Sequence, residues 1–258
     1  MLSKNQLRLL GLICRFRFVT VPFIAEWQGK DKSTIYERLL VLSEQGYLNK
    51  QYNKRWRLLG KPAVYSLSAK GIRAVRNATD GYFTEAVLRN QYKNSSASSQ
   101  LVDHSLAVAK LCLQFKEMYT DRIQLFTKAD IAKYDGFIRP LPDIYLQKNE
   151  IDNDASQHFQ VEIIEAGTMT WIIKKCINAH VEWYEENNEE GWVFEDNYPV
   201  LLFICGNAST EKRVHRLVDD TVSDFDIYTT TNERLDSGDM DIWLQYWDEE
   251  ELEYIELP

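Results

Sequence analysis

The chain has 258 residues with 45% hydrophobic and 27% charged content, which is typical of a folded, soluble protein of one large or two modest domains. It contains no run of eighteen apolar residues and no signal-peptide pattern at its N-terminus, so we expect no membrane partner. Residues 1–79 carry 15 Lys and Arg against 4 Asp and Glu, whereas the remainder carries 15 against 35. A basic head on an acidic body predicts that the head binds a polyanion.

The basic head has the pattern of three helices followed by two strands. Apolar residues at helical spacing predict a helix over 4–18, and Thr20 followed by Pro22 predicts the start of a short second helix. A third helix is predicted from about Asp31 or Ser33 to Glu44, with Gly46 ending it. Two strand-like pieces, YLNKQY and AVYSLS, then flank a basic loop. This order predicts a winged helix-turn-helix domain over residues 1–78.

A winged helix places its third helix in the major groove of duplex DNA. Ser33, Thr34 and Arg38 are then predicted to contact base edges, and Lys30 and Lys32 to contact phosphates. The basic loop is predicted to follow the DNA backbone or to enter the minor groove. The alternative is a winged helix that binds protein. The full set of predicted DNA-binding residues is Lys30, Lys32, Ser33, Thr34, Tyr36, Arg38, Lys54, Arg55, Arg57 and Lys61.

The acidic body has alternating helices and strands. A polar, serine-rich stretch over 79–100 predicts a linker, and 101–238 follows with an initial helix and then strands that alternate with helices. This pattern predicts an α/β domain with a central mixed sheet. Residues 239–258 form a predicted acidic tail, with eight acidic residues and no basic one. Its Trp243, Leu244, Tyr246 and Trp247 are candidates to dock on the body, and the run Glu249–Glu251 is predicted to be solvated. Competition of the tail with DNA for the basic head is the alternative.

Cysteine and histidine give no metal pattern in the sequence. Cys14, Cys112, Cys176 and Cys205 lie far apart with no CxxC pair, so zinc-finger clusters are not expected. Buried free thiols in a reducing cytoplasm are the simplest interpretation, and we therefore predict a cytoplasmic protein. The four histidines show no metal spacing, and His180 is predicted to face solvent, with a place lining the site on the long helix as the alternative.

Two predicted strands of the body carry acidic residues. Asp143 stands at the head of RPLPDIYLQ, while Glu162 and Glu165 lie in HFQVEIIEAGT. Carboxylates on adjacent strand ends are ligands for Mg²⁺ or Mn²⁺, which polarise a phosphodiester and activate water. The three acids are therefore the candidate metal ligands and catalytic residues. The alternative is that they line the solvated side of a sheet.

Two features of this candidate site depart from a metal-dependent nuclease. No lysine follows two residues after either Glu162 or Glu165, so Lys174 and Lys175 are the candidates for an electrostatic helper. Side chains alternate along a strand, so Glu162 and Glu165 share a site only through a bulge or if Glu165 lies past the strand end.

Taken together, the chain resembles the replication-relaxation family of plasmid and mobile-element proteins. The resemblance is carried by LSAKGIRAV, DHSLAVAKLCLQF, RPLPDIYL, FQVEIIEAGTMTWIIKKCINAHVEWY, YPVLLFICGNASTEKRVHRL and YTTTNERL, in that order. It implies a divergent restriction-endonuclease-like body, similar to that of a group of conjugative relaxases. It also implies that Asp143 and Glu165 match family acids, whereas Ile163 stands where the family often has a further acid.

The resemblance implies binding of duplex DNA at an origin, in replication or transfer initiation. One hypothesis is a DNA-binding protein with a degenerate nuclease-like body that serves for homodimerisation or for binding other relaxosome or replication proteins. A second is a metal-dependent DNA-nicking enzyme that uses Asp143 with Glu162 and Glu165. A third is a transcriptional repressor. The absent lysine favours the first hypothesis, and the retained acids keep the second open.

Overall fold

The structure is a computed structural model in which the chain forms two compact units. The first unit comprises Met1–Leu113 with Ala129–Lys133, and the second comprises Gln114–Lys128 with Tyr134–Pro258. The described residues are 2–52, 54–149, 156–187, 199–219, 225–245 and 254–257.

The first unit is a helical assembly with a small antiparallel sheet. Its three strands are ordered β1-β3-β2, so the strand that comes last in the chain lies in the middle. The elements are α1 (Lys4–Phe16), β1 (Val19–Thr20), α2 (Val21–Gln28), α3 (Lys32–Glu44), β2 (Leu48–Gln51), α4 (Lys54–Leu58), β3 (Val64–Leu67), α5 (Ala69–Ala78) and α6 (Glu85–Gln91).

Local side-chain chemistry explains where these helices begin. Ser3 accepts the backbone N–H of Gln6, whose side chain accepts in return from the Ser3 backbone, which forms a capping box at α1. Thr20 accepts the N–H of Phe23 at the start of α2, as the sequence predicts. The buried side of α3 then packs into the core through Ile35, Leu39 and Leu42, all fully buried.

Two segments of the first unit differ from the sequence-based expectation. The basic loop between β2 and β3 contains a short helix, α4, because KRWRL continues as one helical turn rather than an open loop. The segment expected to be a linker over 79–100 holds α6 and packs within the first unit. Its polar residues are used inside, since the buried Gln91 amide donates to the Cys14 carbonyl at 2.9 Å. Polar residues of this segment form buried hydrogen bonds, and the segment is not an extended linker between domains.

The second unit is built on a seven-stranded mixed sheet in the order β10-β9-β8-β7-β6-β5-β4, which confirms the predicted α/β class. Strands β6, β7 and β8 are parallel, while β4, β5 and β9 pair antiparallel with their neighbours. Helices α7 (Ser99–Tyr119) and α8 (Lys128–Ile131) contribute residues to both units. The other elements are β4 (Ile123–Thr127), β5 (Ile144–Asn149), β6 (Ser156–Ile164), α9 (Thr170–Asn187), β7 (Val200–Cys205), α10 (Ala208–Asp219), β8 (Ile227–Thr231), α11 (Asn232–Ser237), β9 (Trp243–Gln245) and β10 (Tyr254–Ile255).

Helices α9 and α10 cover one face of this sheet. Ile173 and Ile177 of α9 pack in one apolar cluster with Val214 of α10 and with Leu201 and Phe203 of β7. Strand β7 is buried along its whole length, as expected for a parallel strand between two covered faces. The packing fixes the distance between α9 and the strands beneath it.

Within the predicted acidic tail, β9 and β10 extend the sheet past β8. Trp243 is fully buried and donates its indole N–H to the Tyr119 hydroxyl at 3.1 Å. Apolar side chains at this point outweigh the local excess of negative charge, because burying a large apolar side chain stabilises by about 1.5–3 kcal/mol. The run Glu249–Glu251 lies outside the described residues.

The longest described helix is α7, with 21 residues, followed by α9 with 18. Neither these nor any other helix in the described ranges combines the length and apolar character that a membrane crossing requires.

Helix α5 lies very close to the turn that contains Tyr47. We therefore expect replacement by alanine to have opposite effects on stability at the helical glycines Gly71 and Gly11. A Cβ added at Gly71 would lie 2.2 Å from the Tyr47 carbonyl oxygen, whereas one at Gly11 of α1 would meet nothing within 4 Å. We expect Gly71→Ala to lower the free energy of unfolding by about 1–3 kcal/mol, as overpacking does. Gly11→Ala should raise it by up to about 1 kcal/mol. Urea denaturation of the two variants measures both, and equal effects would contradict this packing.

Candidate functional site

The site lies at the edge of the large sheet where the parallel strands end. Because β4 and β6 run the same way and β5 runs against both, the end of β4, the start of β5 and the end of β6 meet there. Lys128 follows β4, Asp143 precedes β5 and Glu162 stands near the end of β6. This is the edge at which α/β sheets commonly bind their ligands.

Asp143 is the central side chain of the group. It is 4% exposed, and its two oxygens accept from two different elements. Lys128 Nζ donates to Oδ1 at 2.7 Å, and the backbone N–H of Ile163 donates to Oδ2 at 2.9 Å. A buried carboxylate is costly unless such donors replace water, and these two contacts supply them. Lys128 itself is about half exposed, at 49%.

Helix α9 adds two further ligand-type side chains. Cys176 and His180 are four residues apart, so they lie on one side of the helix, and that side faces Glu162 of β6. His180 Nε2 is 3.3 Å from Glu162 Oε1, and His180 is only 1% exposed. One ligand atom from each of Glu162, Cys176 and His180 lies within 4.8 Å of the other two.

The electrostatics of this group follow from burial and from mutual charge. Burial raises the pKa of Glu162, with the Asp143 carboxylate adding to the rise and the His180 hydrogen bond opposing it. Burial also raises the pKa of the Cys176 thiol, helped by Glu162 and Asp143. For Lys128, burial lowers the pKa, but the attraction of Asp143 and Glu162 outweighs burial and the net pKa is raised.

The structure brings together some of the predicted site residues and separates others. Asp143 and Glu162 lie in one group. Glu165 lies past the end of β6, as one of the two expected geometries requires, and it is not part of the group of metal-type ligands found among the described residues. Lys174 and Lys175 are exposed on α9.

Three members of this group are not predicted by the sequence. Lys128 occupies the position at Asp143 that the sequence assigns to Lys174 or Lys175, and its only signal in the sequence is its place directly after the β4 strand. The prediction that His180 faces solvent is wrong, since packing of α9 buries it. Cys176 is not recognisable as a ligand from the sequence. One neighbour in the group, Glu162, comes from β6, and the other, His180, is one helical turn further along α9.

The predicted Mg²⁺ site of Asp143, Glu162 and Glu165 stays a prediction. Magnesium prefers octahedral oxygen ligands and keeps several waters. Of these residues, Asp143 accepts hydrogen bonds from Lys128 and Ile163, and Glu165 is outside the ligand group that contains Glu162. The donors next to Glu162 are instead a thiol and an imidazole, which suit borderline transition metals.

The turn from β6 into α9 is fixed by a residue of α10. Arg213 Nη1 donates to the Thr168 carbonyl at 2.8 Å, and Nη2 donates to the Ala166 carbonyl at 3.2 Å. Across this turn Gly206 lies so close that an added Cβ would be 2.4 Å from the Ala166 nitrogen. The start of α9 is therefore held from two sides.

A second polar cluster lies on the same face of the sheet, under α10 and α11. The Glu211 carboxylate accepts from the Thr229 hydroxyl at 2.8 Å and pairs with the Arg234 guanidinium. His215 hydrogen-bonds Thr229 at 2.8 Å, and burial lowers its pKa. Each member is satisfied by another member, so this cluster ties α10 and α11 to β8.

The predicted DNA-binding residues lie on the first unit, around the start of α3. Lys30, Lys32, Ser33 and Tyr36 are exposed there, while Thr34 and Arg38 are half-buried. The Lys50 ammonium lies 5.8 Å from the Tyr36 ring centre. Arg57 and Lys61 are exposed at and after α4. The side chains of Lys54 and Arg55 lie outside the described part of the structure.

The contact between Lys128 and Asp143 predicts a measurable coupling. Lys128→Met removes a donor from a buried carboxylate, so we expect the free energy of unfolding to fall by about 1–3 kcal/mol near neutral pH. Adding Asp143→Asn should recover most of this loss, because a neutral amide needs no counter-charge. Urea denaturation of both single variants and the double variant measures the coupling.

The exposed Lys174→Met is the matched control and should change stability by less than about 0.5 kcal/mol. Because the pKa of Lys128 is raised above its ordinary 10.5, its contribution is complete below that pH and is lost as the pH rises through the raised value. A Lys128→Met loss no larger than that of the control would show that Asp143 does not need this ammonium.

Comparison with known proteins gives a structural match and a family match. Among solved structures, one that is similar is described as "Structure of SdaI restriction endonuclease", at 12% identity and a TM-score of 0.32, covering 90% of this chain and 81% of that one. A TM-score of this size does not establish a shared fold. No curated protein gives a significant match. The replication-relaxation family, by contrast, matches residues 10–186, more than half of the chain and including Asp143, Glu162 and α9 up to residue 186. The chain therefore belongs to the replication-relaxation family.

Proposed function

We propose that the first unit is a winged helix-turn-helix that binds duplex DNA, in a replication-relaxation role at a plasmid or mobile-element origin. The observation that carries this proposal is the exposed polar and basic surface at the start of α3, formed by Lys30, Lys32, Ser33 and Tyr36. Strands β1, β2 and β3 form a small antiparallel sheet of the kind that accompanies such a helix pair in this class of domain.

In this proposal α3 enters the major groove by its N-terminal half. Ser33 and Thr34 are short enough to contact base edges, and Arg38 lies about one turn further along the same helix. Lys30 and Lys32 precede or open the helix and would contact phosphates. A cleft between α2 and the start of α3, lined in part by Pro22 and Gly29, leaves room beside these residues.

The α4 segment takes the part that the sequence predicts for an open basic loop. Arg57 and Lys61 are exposed there, so both guanidinium and ammonium groups reach solvent and would meet the DNA backbone. Backbone contacts fix register and supply affinity on all sequences, whereas base contacts set the target site. The two groups of residues should therefore differ in how they depend on DNA sequence and salt.

The proposed contacts of Arg57 and Lys61 with the DNA phosphate backbone can be tested by salt titration. In Arg57→Ala with Lys61→Ala, affinity for duplex DNA should fall on every sequence, and the slope of log K against log salt should become shallower by about 1.8, which is about 0.9 per phosphate contact. Fluorescence anisotropy with a labelled duplex at several salt concentrations measures both quantities.

The matched control is Lys212→Ala, an exposed lysine on α10 of the second unit. It should leave the slope unchanged. If the control and the double variant give the same slope as the unmodified chain, the α4 segment is not at the DNA. If the unmodified chain does not bind duplex DNA even at low salt, the proposed function fails.

A second candidate function, cleavage of a phosphodiester in the bound DNA, is favoured by one specific observation. Lys128 lies 2.7 Å from Asp143 and is half exposed, so a cationic group is held at the site edge while remaining open to solvent. A lysine beside a buried carboxylate is what the sequence motif lacks. Lys128 is therefore a candidate for the electrostatic role that the motif assigns to its lysine.

The roles of these residues follow from their contacts. Asp143 orients the Lys128 ammonium, and Lys128 would bind a phosphate oxygen that arrives at the sheet edge. The Ile163 N–H orients Asp143 in turn. The positions of Asp143 and Lys128 therefore depend on the register of β5 on β6. Glu162 stands next to them and has a raised pKa caused mainly by burial. A divalent ion bound at the group would supply activation of water.

Cleavage is tested with supercoiled plasmid that carries the cognate origin. In the presence of Mg²⁺, Mn²⁺ or Zn²⁺ in separate reactions, we expect nicking by the unmodified chain and at least about a 100-fold slower rate for Lys128→Met and for Asp143→Asn, as for loss of an electrostatic stabiliser. Agarose gel electrophoresis follows the conversion to open circles.

Lys174→Ala and Lys175→Ala are the controls, since both side chains are exposed on α9. Their nicking rates should remain close to that of the unmodified chain. Specific DNA binding without nicking under any of these metals would leave the first proposal standing and remove the second.

A further inference from the structure

We propose that Glu162, Cys176 and His180 form a binding site for a single divalent transition-metal ion of the zinc class. The proposal rests on the second candidate function and deepens it, because Glu162 belongs to the same group as Asp143 and Lys128. It differs from the sequence-based expectation in both the ligands and the class of metal. Its test needs no DNA.

The donor set is the first argument. A carboxylate oxygen, a thiol sulfur and an imidazole nitrogen come within 4.8 Å of one another, on one strand and one side of one helix. Zinc binds these three donor types at about 2.0–2.3 Å and takes them in tetrahedral arrangement. Bonds of that length would draw the three atoms somewhat closer, and small side-chain rotations are sufficient for that movement.

Charge balance is the second argument. A divalent ion bound by the Glu162 carboxylate and a Cys176 thiolate carries no net charge, and neutral His180 adds none. Lys128 already neutralises Asp143 in the same group. The filled group would therefore be electrically balanced as a whole, which is the condition under which charges remain in a protein interior.

The third argument is the burial of the ligand side chains. Glu162 is 13% exposed and His180 1%, with the buried Ile173 and Ile177 on the same helix as His180. Two residues before Glu162, on the same side of β6, the fully buried Gln160 amide has no hydrogen-bond partner in the described part of the chain.

The number of ligands indicates the kind of site. Structural zinc sites use four protein ligands, whereas three protein ligands leave a position for water or substrate. The described group offers three. The open position would lie in a group that also contains a carboxylate and a half-exposed ammonium, Asp143 and Lys128.

A simpler explanation is that Glu162 and His180 only share a hydrogen bond. In that case Cys176 is a bystander, and its removal changes nothing but local packing. Cys176 is therefore the residue that separates the two explanations. Cys205 is the matched control, since it is a buried thiol in the apolar cluster next to α9 and is not part of the ligand group.

The experiment uses cobalt as the probe, on the full chain that has been reduced, treated with a chelator and desalted. Cobalt bound to a thiolate absorbs in the near ultraviolet, and tetrahedral cobalt also absorbs in the visible range. We expect both bands to saturate at one cobalt per chain and to disappear when zinc is added. Competition with a coloured chelator then gives the zinc affinity.

In Cys176→Ala the near-ultraviolet band should be lost, and zinc affinity should fall by at least about 100-fold, beyond the range for outer-shell changes. Cys205→Ala should keep both. Cys176→Ser, which is closer in size, guards against a packing defect, and circular dichroism of each metal-free variant shows whether it is folded. Glu162→Gln and His180→Gln should each weaken zinc binding without removing the thiolate band at high cobalt.

Three results would overturn the proposal: no thiolate band in the unmodified chain, a band that survives in folded Cys176→Ala or Cys176→Ser, or a band lost equally in Cys205→Ala. Each result is independent of DNA binding and nicking. A chain that binds the ion and does not nick plasmid loses only the cleavage function, and one that nicks without the thiolate band loses only this metal site.

Discussion

The site depends on one buried carboxylate that joins three elements. Asp143 accepts from Lys128 at the end of β4 and from the Ile163 backbone of β6, while it stands itself at the head of β5. Because an unsatisfied charge at this depth costs several kcal/mol, the register of β5 on β6 and the position of Lys128 are constrained together. Glu162, one residue before Ile163, is placed by the same contact. The position of Glu162 therefore follows from this one fixed side chain.

Local signals are sufficient to predict most of the secondary structure and two of the five residues of the site, Asp143 and Glu162. Thr20 with Pro22 marks the start of α2, and the apolar run at β7 marks a buried strand. Asp143 and Glu162 are recognisable because carboxylates in strands are unusual. Local signals fail where polar or acidic segments are used inside the fold. The sequence pattern places the buried Gln91 amide in a linker and the buried Trp243 in a tail.

The other residues of the site are Lys128, Cys176 and His180. Tertiary packing brings them together, and their spacing along the chain does not indicate a site. Lys128 and Asp143 are fifteen residues apart, and Glu162 and His180 are eighteen apart. Cys176 and His180 have an i, i+4 relation that occurs in any helix by chance. Only the packing of α9 against β7 turns them towards Glu162. The acidic residues in the sequence therefore indicate the two strands of the site, whereas the Lys128, Cys176 and His180 side chains beside them are placed by packing.

The contacts of Arg213 bear on the metal site proposed above. The guanidinium of this α10 residue donates to two carbonyls just before α9, while Gly206 lies against the other side of that turn. These contacts hold the start of α9 near the end of β6. If the group binds an ion, the space between this helix and the strand sets the size of the cation that fits. Arg213 would then affect the choice of cation without being a ligand.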